Sequence, residues 1–229
     1  MATESSKKAT NLLGKTVAEF FGTATLVCVV VGSGIMGTNL SHDLGIALLI
    51  NTISTIFALA LLILTLGPIS GAHFNPAVTL VLVVTKQQKP TDALAYIPAQ
   101  IAGAIVGSLL ANLMYDLPAA QLSTHARVST GTLIGEVLAT AGLIAVIGIL
   151  SRRGQSHLIA VAVAAWIGSA YFFTSSTSFA NPAVTLGRIF SNTFAGIAPE
   201  SVVPFIAAQL VGAALGILLV RAATATETN

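Results

Sequence analysis

The chain has 229 residues, of which 55% are hydrophobic and only 8% charged, with a mean hydropathy of +0.89. Soluble domains carry about 25% charged residues because their surfaces face water, so this composition predicts a protein that is solvated by lipid. The net charge of +2 is too small to indicate a nucleic-acid partner. The single cysteine excludes an intrachain disulfide, a Cys-based zinc site and an iron–sulfur cluster.

Six apolar segments are long enough to cross a membrane, which requires about 20 residues for a hydrocarbon layer of about 30 Å. The first one is long enough to span the bilayer, so we do not expect it to be a cleaved signal peptide. In chain order the predicted spans are Thr16–Gly37, Leu44–Leu66, Ala93–Tyr115, Thr132–Leu150, Leu158–Phe179 and Ser201–Val220.

Two shorter apolar runs, 75–85 and 181–191, follow glycine- or serine-rich stretches. At 1.5 Å per residue each would reach about 16 Å as a helix, which is half of the membrane. Irregular backbone beside a short helix is tolerated at that depth only where it lines a water-filled cavity or is buried in protein. The sequence therefore predicts two re-entrant loops, each followed by a half-helix.

The basic residues predict the orientation of the chain. With the N-terminus in the cytoplasm, only Arg127 and Arg188 lie outside, and an excess of Lys and Arg marks the cytoplasmic side. We therefore expect both termini to be cytoplasmic. The residues placed inside are Lys7, Lys8, Lys15, Lys86, Lys89, Arg152, Arg153 and Arg221.

The chain repeats itself, with a first repeat over residues 1–115 and a second over 116–229. Three pairs of motifs occur in the same order in both, around Glu19 and Glu136, Asn75 and Asn181, and Gln100 and Gln209. Three spans per repeat is an odd number, so the repeats have opposite orientations. An inverted repeat of this kind places a functional site near the middle of the membrane.

Each short helix starts with Asn followed by Pro, at Asn75-Pro76 and Asn181-Pro182. Asn is a favoured N-cap and Pro a favoured first helical residue. We expect the side-chain oxygen to cap its own helix and the NH₂ group to point outward as a donor. Two opposed helix N-termini, each with about half a positive charge, would repel cations and orient water at the centre.

These motifs resemble those of the major intrinsic proteins, the aquaporins and aquaglyceroporins. Residues 70–79, SGAHFNPAVT, look like the first signature loop, and NPA at 181–183 resembles the second. The resemblance implies an all-α fold of six transmembrane helices plus two re-entrant half-helices, with one passive pore per subunit of a homotetramer in the plasma membrane. It implies no cofactor and no energy coupling. The implied pore residues are Asn75, Pro76, Ala77, Asn181, Pro182 and Ala183.

Glu19 and Glu136 carry the only charges well inside the predicted spans. An intramembrane carboxylate suggests a functional site, here for proton coupling in a secondary transporter. The alternative, which the symmetric placement favours, is that each carboxylate accepts hydrogen bonds from backbone N–H groups of the loop in its own half. We expect His73 to support the first loop in a similar way.

The second signature departs from the family pattern, because Val184 stands where an arginine usually narrows the outer filter. Counting along the chain places the other filter positions at Thr55, at Ser169 or its neighbour Gly168, and at Ser178. Small side chains there predict a wider filter for neutral solutes, in which pore diameter and lining hydroxyls set the selectivity.

This loss of arginine resembles the aquaglyceroporins of bacterial arsenic-resistance operons, which implies passage of arsenite, methylarsenicals and glycerol-like polyols as well as water. The alternative is an ordinary water-selective channel in which Phe172, Phe173 or Phe179 refills the filter. We find no nucleophile motif and no metal-binding cluster typical of an intramembrane enzyme.

Overall fold

The computed structural model describes residues 12–225, so Lys7 and Lys8 lie outside the described residues. Six helices in that range are long and apolar enough to cross a membrane, which confirms the predicted number of spans. Two short helices lie between them. The helices are α1 Leu12–Leu40, α2 Leu44–Ser70, α3 Pro76–Val84, α4 Pro90–Met114, α5 Thr130–Arg152, α6 Ile159–Phe173, α7 Pro182–Gly187 and α8 Pro199–Ala223.

The short helices α3 and α7 follow the predicted pattern of an Asn N-cap and a Pro at the first helical position. Helix α7 has six residues and continues as a 3₁₀ turn over Arg188–Phe190. The predicted runs 75–85 and 181–191 therefore each contain one half-helix.

Helix α6 corresponds to the fifth predicted span, Leu158–Phe179. It is shorter than predicted, since it ends at Phe173 and not at Phe179. Residues 174–180 form the second re-entrant loop, with positive φ angles at Thr177, Ser178 and Ala180. The predicted span had included the Thr- and Ser-rich residues 174–178, which the structure places in the loop and not in the helix.

Helix α1 packs most extensively on α4, and α5 packs on α8. Each pair meets at a Gly-x-x-x-Gly motif, formed by Gly103 and Gly107 in α4 and by Gly212 and Gly216 in α8. A Cβ atom at Gly107 would lie 2.2 Å from the carbonyl oxygen of Ala24. Glycines at such positions let two helix backbones approach closely.

The helix order gives the bundle two ends, which we name by the connections they contain. The outer end holds the α1–α2 and α4–α5 connections and residues 188–198, where α7 gives way to the chain that leads to α8. The inner end holds the α3–α4 and α5–α6 connections and the C-terminus of α8. Helices α3 and α7 start from the middle and run to the inner and outer end, respectively.

Candidate functional site: a cavity between two half-helices

The first re-entrant loop is held by the carboxylate of Glu19, which is fully buried. Glu19 accepts hydrogen bonds from the backbone N–H groups of His73 and Phe74 at 2.9 and 2.7 Å. It also accepts from the Ser70 hydroxyl at 2.6 Å and from Gln100 Nε2 at 2.8 Å. Charged hydrogen bonds of this kind are roughly twice as strong as neutral ones, so this carboxylate fixes the loop.

Glu136 plays the same part in the second half and is also fully buried. It accepts from the backbone N–H groups of Phe179 and Ala180, both at 2.8 Å, and from Gln209 Nε2 at 2.7 Å. Both carboxylates thus lie where the loop-supporting interpretation places them. Their oxygens are occupied by protein donors.

His73 contacts α3 through its ring, with Nδ1 3.0 Å from Thr79 Oγ1. The ring also packs edge-on against Tyr96, with the centroids 5.2 Å apart. These contacts lie within the first loop and its neighbours, and they accord with a loop-supporting role.

The two half-helices are joined through their Asn caps. Asn75 Oδ1 accepts from the N–H of Ala77, and Asn181 Oδ1 accepts from the N–H of Ala183. The amide groups then cross over, since Asn75 Nδ2 donates to Ala180 O at 2.7 Å and Asn181 Nδ2 donates to Phe74 O at 2.8 Å. Each NH₂ has two protons, so one holds the other loop and the second is left for the cavity.

A cavity of about 320 Å³ passes both half-helix N-termini and reaches from the inner end to the outer end of the bundle. Its inner part is lined by Gln87, Gln88 and Ser151. Apolar side chains cover most of its wall, and few polar groups face it. Within residues 12–225, no three His, Cys, Asp or Glu side chains come together as a metal-binding group.

Three of the four predicted filter residues line this cavity, namely Thr55, Ser178 and Val184. Ser169 does not, because its side chain is exposed and donates to Ala165 O in its own helix. Counting back through the irregular loop placed the position wrongly. The residues of α6 that line the outer part of the cavity are Ile167 and Tyr171. Ser169 lies about 200° around the helix from Ile167.

Tyr171 was not foreseen as a cavity residue. It is buried, and its hydroxyl lies 3.3 Å from Thr55 Oγ1 on α2. Of the three phenylalanines that could refill the filter, Phe179 lines the cavity, whereas Phe172 and Phe173 are exposed. A tyrosine followed by two phenylalanines in an apolar predicted helix gave too weak a signal to select Tyr171.

Arg188 is the other residue that sequence reasoning missed at this site, having assigned it only to the outer surface. Its side chain is 3% exposed and lines the outer part of the cavity. The guanidinium carbon lies 3.5 Å from the centroid of the Phe179 ring, and Nε donates to Ala195 O. The sequence did contain a signal for this position. Arg188 follows Val184 by four residues, and residues spaced in this way share a helix face.

Comparison with known proteins decides the family. The model of the family described as "Major intrinsic protein" matches residues 5–172. This chain belongs to that family. Major intrinsic proteins are passive membrane channels for water and small solutes, and the chain is such a channel rather than an enzyme.

Relatives within the major intrinsic protein family include aquaglyceroporin AqpS of Rhizobium meliloti, 46% identical over 92% of this chain and 90% of that protein. Aquaporin C of Dictyostelium discoideum is 31% identical over 78% of this chain and 70% of that protein. Among solved structures, the aquaglyceroporin from Plasmodium falciparum matches with a TM-score of 0.68 and 21% identity, covering 92% of this chain and 95% of that one. That last likeness shows the fold.

Proposed function

We propose that this chain conducts small neutral solutes that carry hydroxyl groups, in addition to water. Glycerol-like polyols, arsenous acid and its methylated forms belong to this class. The observation that carries the proposal is the outer part of the cavity, whose lining includes the apolar Val184 together with Thr55 and Ser178. Such a wall gives a polyol both an apolar surface and hydrogen-bonding partners, which is how pore lining selects among neutral solutes.

The similarity to aquaglyceroporin AqpS supports the same class of solute. The residue roles follow the geometry. Asn75 and Asn181 donate to the solute at the centre, while Thr55, Ser178 and Val184 bound it at the outer end. Pro76, Ala77, Pro182 and Ala183 build the two helix starts. Glu19, Glu136 and His73 hold the loops.

In the membrane we propose a homotetramer in the plasma membrane with both termini cytoplasmic. The orientation is supported by the basic residues at the inner end of the bundle, among them Lys86, Lys89, Arg152 and Arg221. Fixed positive charge near the ends of spanning helices marks the cytoplasmic side.

A water-selective channel is the second candidate, and one observation favours it. Tyr171 and Arg188 add bulk to the outer end that the predicted filter residues lack. A transporter driven by Glu19 and Glu136 is disfavoured, because protonating either carboxylate would break the hydrogen bonds that hold its loop.

The test is solute flux into liposomes that contain the purified protein, followed by light scattering for water and glycerol and by arsenic uptake for arsenite. We expect the wild type to pass all three. Val184→Arg should lower glycerol flux by about tenfold or more, the scale on which one change in pocket size discriminates between small substrates, and should retain water flux.

Ser169→Ala, on the exposed face of α6, is the matched control and should leave all three fluxes unchanged. A wild type that passes water and excludes glycerol and arsenite would contradict the proposal and support the water-selective channel. Flux that depends on a proton gradient would support the transporter.

A further inference from the structure

The outer end of the cavity contains a buried positive charge that forms no salt bridge with any of the described residues. Within the part of the chain that the structure describes, Arg188 forms no salt bridge, and its side chain is 3% exposed. A buried charge without a counter-charge is costly, and only a specific arrangement keeps it in place. Here the arrangement consists of the Phe179 ring under the guanidinium and the carbonyl of Ala195 on Nε.

The hydrogen-bonding capacity of this guanidinium is mostly unused by the protein. Arginine has five N–H donors, and the bond to Ala195 uses only the one on Nε. In residues 12–225 the terminal nitrogens have no protein acceptor, and they belong to a side chain that lines the cavity. They are therefore available to a molecule inside it.

A second unpaired polar group lies on the same stretch of wall. The hydroxyl of Ser178 is buried and has no hydrogen-bond partner among the described residues, although its side chain lines the cavity. Buried polar groups are normally paired. A cationic donor with unused N–H groups and an unpaired hydroxyl, on two residues that line one cavity, form a site for a neutral molecule that carries several oxygens.

We infer that Arg188 and Ser178 form the solute-selecting site of the outer end, one helical turn beyond Val184. Arg188 donates hydrogen bonds to the oxygens of a neutral solute, and its charge excludes cations. The part of this inference that concerns the class of solute rests on the proposed function. The part that concerns the exclusion of cations does not. Position 184 is thereby free to be apolar, and the positive charge lies about 6 Å further out at a rise of 1.5 Å per residue.

The neighbouring Arg127 gives a matched control. Its guanidinium carbon lies 5.3 Å from the centroid of the same Phe179 ring. The Arg127 guanidinium donates hydrogen bonds to the carbonyl oxygens of Gly196 and Phe194, at 2.6 and 2.8 Å. Arg127 is not among the residues that line the cavity. Removing its charge perturbs the same outer loop without removing the charge that faces the solute.

The experiment measures potassium-ion flux, water flux and glycerol flux in liposomes for the wild type and four variants. Arg188→Gln should raise potassium flux by about tenfold or more, because a unit charge acts strongly at a few ångströms in a medium of low polarity. Arg127→Gln should stay near the wild type. The double variant Val184→Arg, Arg188→Gln carries the positive charge one helical turn closer to the middle of the bundle. It should exclude potassium again and reduce glycerol flux.

Arg188→Met retains an unbranched side chain against Phe179 and covers the case in which the Gln variant does not fold; it should leak potassium similarly. Folded variants without the Arg188 charge that exclude potassium as tightly as the wild type would overturn the inference, as would an equal leak in Arg127→Gln. Failure of the wild type to pass glycerol would contradict the proposed function alone, since potassium exclusion is read independently.

Discussion

The two re-entrant loops can be compared position by position, because Asn75 and Asn181 align them. The supporting parts are the same in both loops: a buried Glu, a buried Gln, an Asn cap and a Thr one turn later. The side chains that differ face the cavity. Ala72, His73 and Leu82 of the first loop correspond to Ser178, Phe179 and Arg188 of the second.

This comparison distinguishes the residues that support the loops from the residues that line the cavity and differ between its two ends. The repeated residues hold two half-helices end to end and form a pore that is symmetric in its backbone. Three of the differences place a hydroxyl, an aromatic ring and a cation at the outer end, where the inner end has a methyl group, a histidine and a leucine. We therefore expect discrimination between solutes to be concentrated at the outer end.

The largest expected effect comes from removing the carboxylates. Glu19→Ala and Glu136→Ala would each leave at least three buried donors without an acceptor. At about 1–3 kcal/mol per unsatisfied buried group, each variant loses several kcal/mol. Thermal unfolding in detergent measures this.

The corresponding Gln variants retain one acceptor oxygen and should fall between the Ala variants and the wild type. An unchanged melting temperature in either Ala variant would contradict the loop-supporting role of its carboxylate.

The glycine contacts give a smaller effect. A Cβ atom at Gly107 would lie 2.2 Å from Ala24 O, and one at Gly216 would lie 2.6 Å from Ile144 Cβ. Overpacking of this kind costs about 1–3 kcal/mol, and Gly107→Ala should cost more because its contact with backbone, at 2.2 Å, is closer than the 2.8 Å contact of Gly216 with Ala141 O. Gly67→Ala is the control, since nothing lies within 4 Å of its added Cβ atom.

Unfolding of the three Gly→Ala variants in a denaturing detergent ranks them. A Gly67→Ala protein as unstable as Gly107→Ala would show that loss of glycine itself, and not the close helix approach, is responsible.

The smallest effect is expected from the crossed amide groups. Asn75→Ser and Asn181→Ser retain a good N-cap residue but lose the bond to the opposite loop. Each should cost about 0.5–1.5 kcal/mol, the net value of one hydrogen bond, and the two costs should match. Unequal melting temperatures would show that the two crossing bonds at 2.7 and 2.8 Å are not equivalent in strength.

Much of the fold could be predicted from the sequence because its signals are local. The length of each apolar run and the Asn-Pro pairs predicted six spans and two half-helices, and the structure confirms them. The repeat further predicted that Glu19 and Glu136 serve the same purpose in the two halves. The end of α6 was predicted too late because the average hydropathy of a span does not locate the residue at which the helix gives way to the Thr- and Ser-rich loop.

The sequence by itself therefore determined the elements of this channel and the way its half-helices start, since span length and helix capping depend on neighbouring residues. Only the tertiary structure decided which side chains face the cavity. The path of residues 174–180, held by Glu136, sets the register between α6 and α7. For that reason Tyr171 and Arg188 reach the outer end of the cavity and Ser169 does not.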